Sequence, residues 1–130
     1  MYPLKLHKTL TPEKWQKFSE AQQILMIACE INRAKHWIQK GDWGAVNDCY
    51  ERAFELLDLT VSLTEKKNKR KELLRLREII ASQYILAKKD FKINELIFQT
   101  LLLLNPESYA MEMGEVPDPL PFPLPPGEGN

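Results

Sequence analysis

Residues 24–63, ILMIACEINRAKHWIQKGDWGAVNDCYERAFELLDLTVSL, decide the fold of this chain. Ile24, Ile27, Ile31, Ala34 and Ile38 recur at alternating spacings of three and four, which sets them on one helical stripe. Every residue from 24 to 29 is apolar, so this helix is expected to be touched on more than one side, as the central helix of a bundle is. Gly41 then offers a left-handed cap, and Asp42 caps the following helix at once. Such a short connection makes the two helices antiparallel neighbours. In the second helix Trp43, Val46, Tyr50, Ala53 and Leu57 share a face, with Cys49, Leu56 and Leu63 beside it and Asp48, Glu51, Glu55 and Asp58 outside.

Upstream, residues 1–10 lack periodicity and read as an extended arm. Thr11-Pro12-Glu13 is a helix start: a hydroxyl cap, a proline where its missing N–H costs nothing, and a carboxylate at the positive end of the dipole. The first helix is expected to run from there through Trp15 and Phe18 to the glycine. No proline occurs between Glu13 and Asn105, as an all-helical domain requires. Downstream, Ser62-Leu63-Thr64-Glu65 has the form of a capping box for a third helix, whose stripe is Leu73, Leu76, Ile80 and Ala87. The pattern resets at Lys89-Asp90, and Ile93, Leu96, Ile97, Thr100, Leu101, Leu103 and Leu104 make a short, very apolar fourth helix. A helix this apolar must be covered, by the first helix or by a partner.

Asn105-Pro106 closes the helical part in this reading. Residues 106–130 are an acidic, Pro/Gly-rich tail, expected to be disordered with polyproline II character. Pro123 and Pro126 have the PxxP spacing without a basic flank, and Leu120, Phe122 and Leu124 offer the alternative of docking on the bundle itself. The expected fold class is therefore all-α, an antiparallel up-and-down bundle of about four helices over residues 11–105.

The chain has 130 residues with 18 basic and 18 acidic side chains, enough for one core and no global electrostatic glove for nucleic acid. No long apolar run spans a membrane and no secretory signal opens the sequence, so a cytoplasmic protein is expected. Cys29 and Cys49 would be offset by about 6 Å along antiparallel helices at 1.5 Å per residue, too far for a bridge, and read as two small buried hydrophobes. Neither His7 nor His36 has a partner at metal-ligand spacing, and no phosphate loop or nucleophile elbow is present. The reading is non-enzymatic, with no cofactor.

Two surfaces remain as candidates. Ile27, Ile31, Leu96, Ile97, Leu101 and Leu104 form a mixture of core and helix-accepting groove, able to bind an amphipathic helix of another protein or a second copy of this chain. Alternatively the basic run Lys66, Lys67, Lys69, Arg70, Lys71 and Arg75 contacts nucleic acid through phosphates. Against that, an acidic second helix beside a basic third helix needs no ligand to explain it, and no aromatic residues interleave the cluster.

The segment Ala34, Trp37, Gly41-Asp42, Tyr50, Ala53 resembles a single tetratricopeptide repeat, without a second copy at the required period. The hairpin also resembles the HEPN class of four-helix bundles, but two residues separate Arg33 from His36 where that class's RNases have four to six. A longer likeness covers residues 2–104. Tyr2, the Thr-Pro-Glu-Lys start at 11–14, Ala34, Ile38, Gly41-Asp42, Asn47, Arg52-Ala53 and Leu56-Leu57 resemble the flagellin-specific export chaperones, whose Leu-Tyr pair after the helix start is absent here. That resemblance implies a cytosolic helical bundle that holds the C-terminal helices of flagellin against apolar grooves and prevents premature polymerisation.

Overall fold

The computed structural model describes residues 4–113, which carry six helices: α1 (Pro12–Gln16), α2 (Glu20–Lys40), α3 (Trp43–Leu63), α4 (Lys67–Tyr84), α5 (Phe91–Leu103) and α6 (Pro106–Met113). The described residues contain no strand. Residues 1–3, with Tyr2, and 114–130, with the PxxP segment, lie outside them.

The expected first helix is two helices. The Thr11 hydroxyl accepts from the Lys14 amide and Pro12 opens α1, as the motif requires, but α1 stops at Gln16. Ser19 and Gln22 then form a reciprocal capping box that starts α2. The break has a geometric reason. In an unbroken helix Trp15 would lie about 180° from Ile24 at 100° per residue, facing away from the stripe. Turning the chain at Lys17–Ser19 lets the Trp15 indole enter the core with no exposure, where its Nε1–H donates to Thr60 Oγ1 at 3.0 Å.

The hairpin turn is as the residues dictate. Gly41 has φ +71°, its amide donates to Ile38 O, and the Asp42 amide reaches Trp37 O, a Schellman closure. Asp42 Oδ1 accepts from the Ala45 amide to start α3. A Cβ at Gly41 would meet nothing within 4 Å, so the cost of a side chain there is purely conformational. Gly41→Ala is expected to destabilise by about 1–2 kcal/mol, measurable by urea unfolding.

The capping box expected at Ser62–Glu65 does not form. Ser62 Oγ donates to Leu59 O and Thr64 Oγ1 to Thr60 O, so both hydroxyls are spent on α3 carbonyls. α4 begins after Lys66 with no side-chain cap, and Arg70 instead reaches back with its guanidinium to Thr64 O. Ala87, assigned to the third helix's stripe, is exposed in the turn beyond Tyr84. There Lys89, 7% exposed, folds its Nζ back onto the carbonyls of Tyr84 and Leu86 and closes α4. Asp90 caps α5, as the reset implies.

Asn105-Pro106 starts a helix where the sequence reading ended one. Asn105 Oδ1 accepts from the Glu107 and Ser108 amides, Pro106 takes the first helical position, and Ser108 is buried against Leu102 O.

α2 packs against α3, α5 and α6, and is the element the others surround. Ile24, Ile27, Ile31, Ala34 and Ile38 are all buried. α4 packs on α3 and α5. The acidic side of α3 is divided among three uses: Asp58 pairs with Arg77, Glu51 accepts from the Tyr84 hydroxyl, and Glu55 holds the arm. The amides of Lys5, Leu6 and His7 and the His7 Nδ1 all converge on the Glu55 carboxylate at 2.8–3.2 Å.

Burial alone would push Glu55 upward, but these hydrogen bonds, led by His7, outweigh it and leave its carboxyl below the ordinary 4.5. A depressed carboxyl holds the arm fully above that value and releases it as pH falls through the lower folded value. The Lys5 and Leu6 amide resonances are expected to move toward free-chain positions as pH falls below 4.5. Glu55→Gln, a neutral acceptor, is expected to loosen the arm at every pH.

Candidate interaction surface on the fifth helix

α5 reads FKINELIFQTLLL, and nothing in its apolar content says which side should face inward. Polar contacts decide it. Asn94 is fully buried, its Oδ1 accepting from the Tyr50 hydroxyl at 2.6 Å and its Nδ2 donating to Ile31 O at 3.0 Å. Burial pushes the Tyr50 phenol up to about 12, against the lowering effect of the neighbouring Gln83. Gln83, also buried, donates to Asp90 O and ties the end of α4 to the start of α5. This network rotates α5 so that Asn94, Ile97, Phe98, Leu101 and Leu102 face the core.

The opposite side is left apolar and outside. Ile93 is 37% exposed, and Leu96 and Leu103 are each 57% exposed, with Thr100 between them. The spacings of three, four and three put all four on one stripe, about 15 Å long at 1.5 Å per residue. Ile79 of α4, 41% exposed, stands one turn before Gln83 on the flank that meets α5, and widens the stripe.

Of the six residues assigned to a groove from sequence, Ile27, Ile31, Ile97 and Leu101 are core, Leu104 is partly buried at its edge, and Leu96 alone is open. Ile93, Leu103 and Ile79 were not in that set. For Ile93 and Leu103 the signal was Asn94, which can only be taken as inward once its partner Tyr50 is known.

The basic run is divided between structural tasks and solvent. Lys69 pairs with Glu20, whose carboxyl burial would raise but which the Lys69 and Asn105 hydrogen bonds bring below its ordinary value. Arg70 caps α3, while Lys66, Lys67, Lys71 and Arg75 are exposed. A cleft of about 360 Å³ lies beside it, floored by Ile24, Leu63 and Leu73 and rimmed by Glu20, Lys66 and Lys69.

Elsewhere Glu30, 5% exposed, is clamped by Arg33 and by Arg52 from α3, at 3.1 Å each. His36 is exposed and stands edge-on to Trp37. Cys49 is buried as expected, but Cys29 is exposed, because residue 29 falls off the stripe of Ile24, Ile27 and Ile31. Among the described residues no three His, Cys, Asp or Glu side chains gather closely enough to hold a metal ion, and no helix is long and apolar enough to cross a membrane. Compared with protein-family models, curated proteins and solved structures, the chain matches none.

Proposed function

We propose that this chain is a non-enzymatic protein-binding module, with α2 to α5 as an antiparallel up-and-down bundle and the outward stripe of α5 as the seat for an amphipathic helix of another protein. The observation that carries this reading is the exposure of Ile93, Leu96 and Leu103 on one face of a helix already anchored through its other face. Covering the part of each side chain that is still open, about half, contributes roughly 0.5–1.5 kcal/mol apiece, before the cost of ordering the partner. Helix-in-groove recognition uses apolar anchors at helical spacing, and these three fall at i, i+3 and i+10 on one face.

The likeness of residues 2–104 to the flagellin-specific export chaperones supports a cytoplasmic export role and makes the C-terminal helices of flagellin the first client to try. Co-purification with untagged flagellin and a mobility shift on mixing are the expected results; a chain that captures no helical segment of flagellin overturns the export reading. The nucleic-acid alternative draws less support, since Lys69 and Arg70 are engaged within the chain. It requires binding that weakens steeply with salt, which a filter-binding titration at two salt concentrations reads.

A further inference from the structure

The geometry points to residues 114–130 of this same chain as the resting occupant of the α5 stripe, laid across Ile93, Leu96 and Leu103 and displaced when a client helix binds. This rests on the interaction reading above and adds regulation to the same surface.

Three observations carry it. The first is position: α6 packs on α2 and α5 and ends at Met113, so the chain leaves from an element already lying against the helix that bears the stripe. Six residues separate Met113 from Leu120, a reach of about 20 Å at 3.1 Å per extended residue, against a stripe of about 15 Å.

The second is chemistry. The run Leu120-Pro121-Phe122-Pro123-Leu124 alternates large apolar side chains with prolines, which bring no N–H donors to be desolvated on an apolar surface. The third is charge. Residues 114–130 carry Glu115, Asp118 and Glu128 and no Lys or Arg. On the other side, Lys92 beside the stripe and Lys71 and Arg75 on α4 are exposed and enter none of the described ion pairs, with Glu72 and Glu78 the opposing charges on α4.

The test uses the full chain with Leu120→Ser, Phe122→Ser and Leu124→Ser combined, at high dilution, with side-chain methyl resonances as the readout. Expected are shifts at Ile93, Leu96 and Leu103 and none at Val46 or Ile38. If the tail covers the stripe about nine-tenths of the time, the triple variant also binds a flagellin C-terminal helix about tenfold more tightly than the wild type.

Unmoved methyls with equal affinities overturn the tail inference and leave the interaction reading standing. Moved methyls with no helix binding by either chain do the reverse. Stripe methyls of the wild type that shift only on concentrating the sample identify a second copy as the occupant and overturn the inference.

Discussion

Trp15→Ala is expected to destabilise the fold by about 3–5 kcal/mol. The indole is wholly buried, and it is the anchor by which α1 reaches α3. Removing it leaves a cavity between these helices and loses the hydrogen bond to Thr60 Oγ1. Thr60 retains its own bond to Leu56 O, so no orphan hydroxyl adds to the cost. Trp15→Phe keeps most of the apolar volume and is expected to lose less than half as much. Urea unfolding of the three proteins, followed by far-ultraviolet circular dichroism, reads both differences. Equal stability of wild type and Trp15→Ala would contradict the buried-anchor account of the break at Lys17–Ser19.

The second large effect separates two adjacent residues of α5. Ile97 is 1% exposed and Leu96 57%, so the same aspartate substitution should have opposite consequences. Ile97→Asp puts a carboxylate into an apolar interior with no partner at hand, a cost of several kcal/mol that a domain of this size does not survive. Leu96→Asp places the carboxylate in water and is expected to change stability by less than about 0.5 kcal/mol. If both variants folded equally well, or if Leu96→Asp unfolded the chain, the orientation that Asn94 imposes on α5 would be wrong.

The helical content and the hairpin were legible because local chemistry enforces them. Gly41 must adopt the left-handed conformation that it shows, Asp42 caps as a short acceptor should, and the stripe from Ile24 to Ile38 is buried throughout. Two other signals were present and open to misreading. Ser19 and Gln22 stand at capping-box spacing inside what looked like one helix. Asn105-Pro106-Glu107 repeats the cap, proline and carboxylate order of Thr11-Pro12-Glu13, yet proline after an apolar run reads as a stop. The Ser62–Glu65 box failed for the converse reason, since a hydroxyl near a helix end serves the preceding carbonyls as readily as the following amides.

The exposed apolar stripe was legible only in its location on α5. Amphipathic reasoning assumes that polar residues face outward, and α5 inverts that at Asn94 because Tyr50 and Ile31 supply its partners from other helices. Long-range pairings of this kind have no local signature. The same holds for Glu55, whose place on an acidic helix face gave no hint that it binds three backbone amides of the arm, about fifty residues away in sequence.

Isothermal titration of the full chain with a peptide carrying the C-terminal helices of flagellin, repeated with Leu96→Asp, tests the central claim most directly. The account predicts saturable binding by the wild type and at least a tenfold loss of affinity in the equally stable Leu96→Asp chain. Binding that Leu96→Asp leaves unchanged, or no binding by either protein, would contradict it.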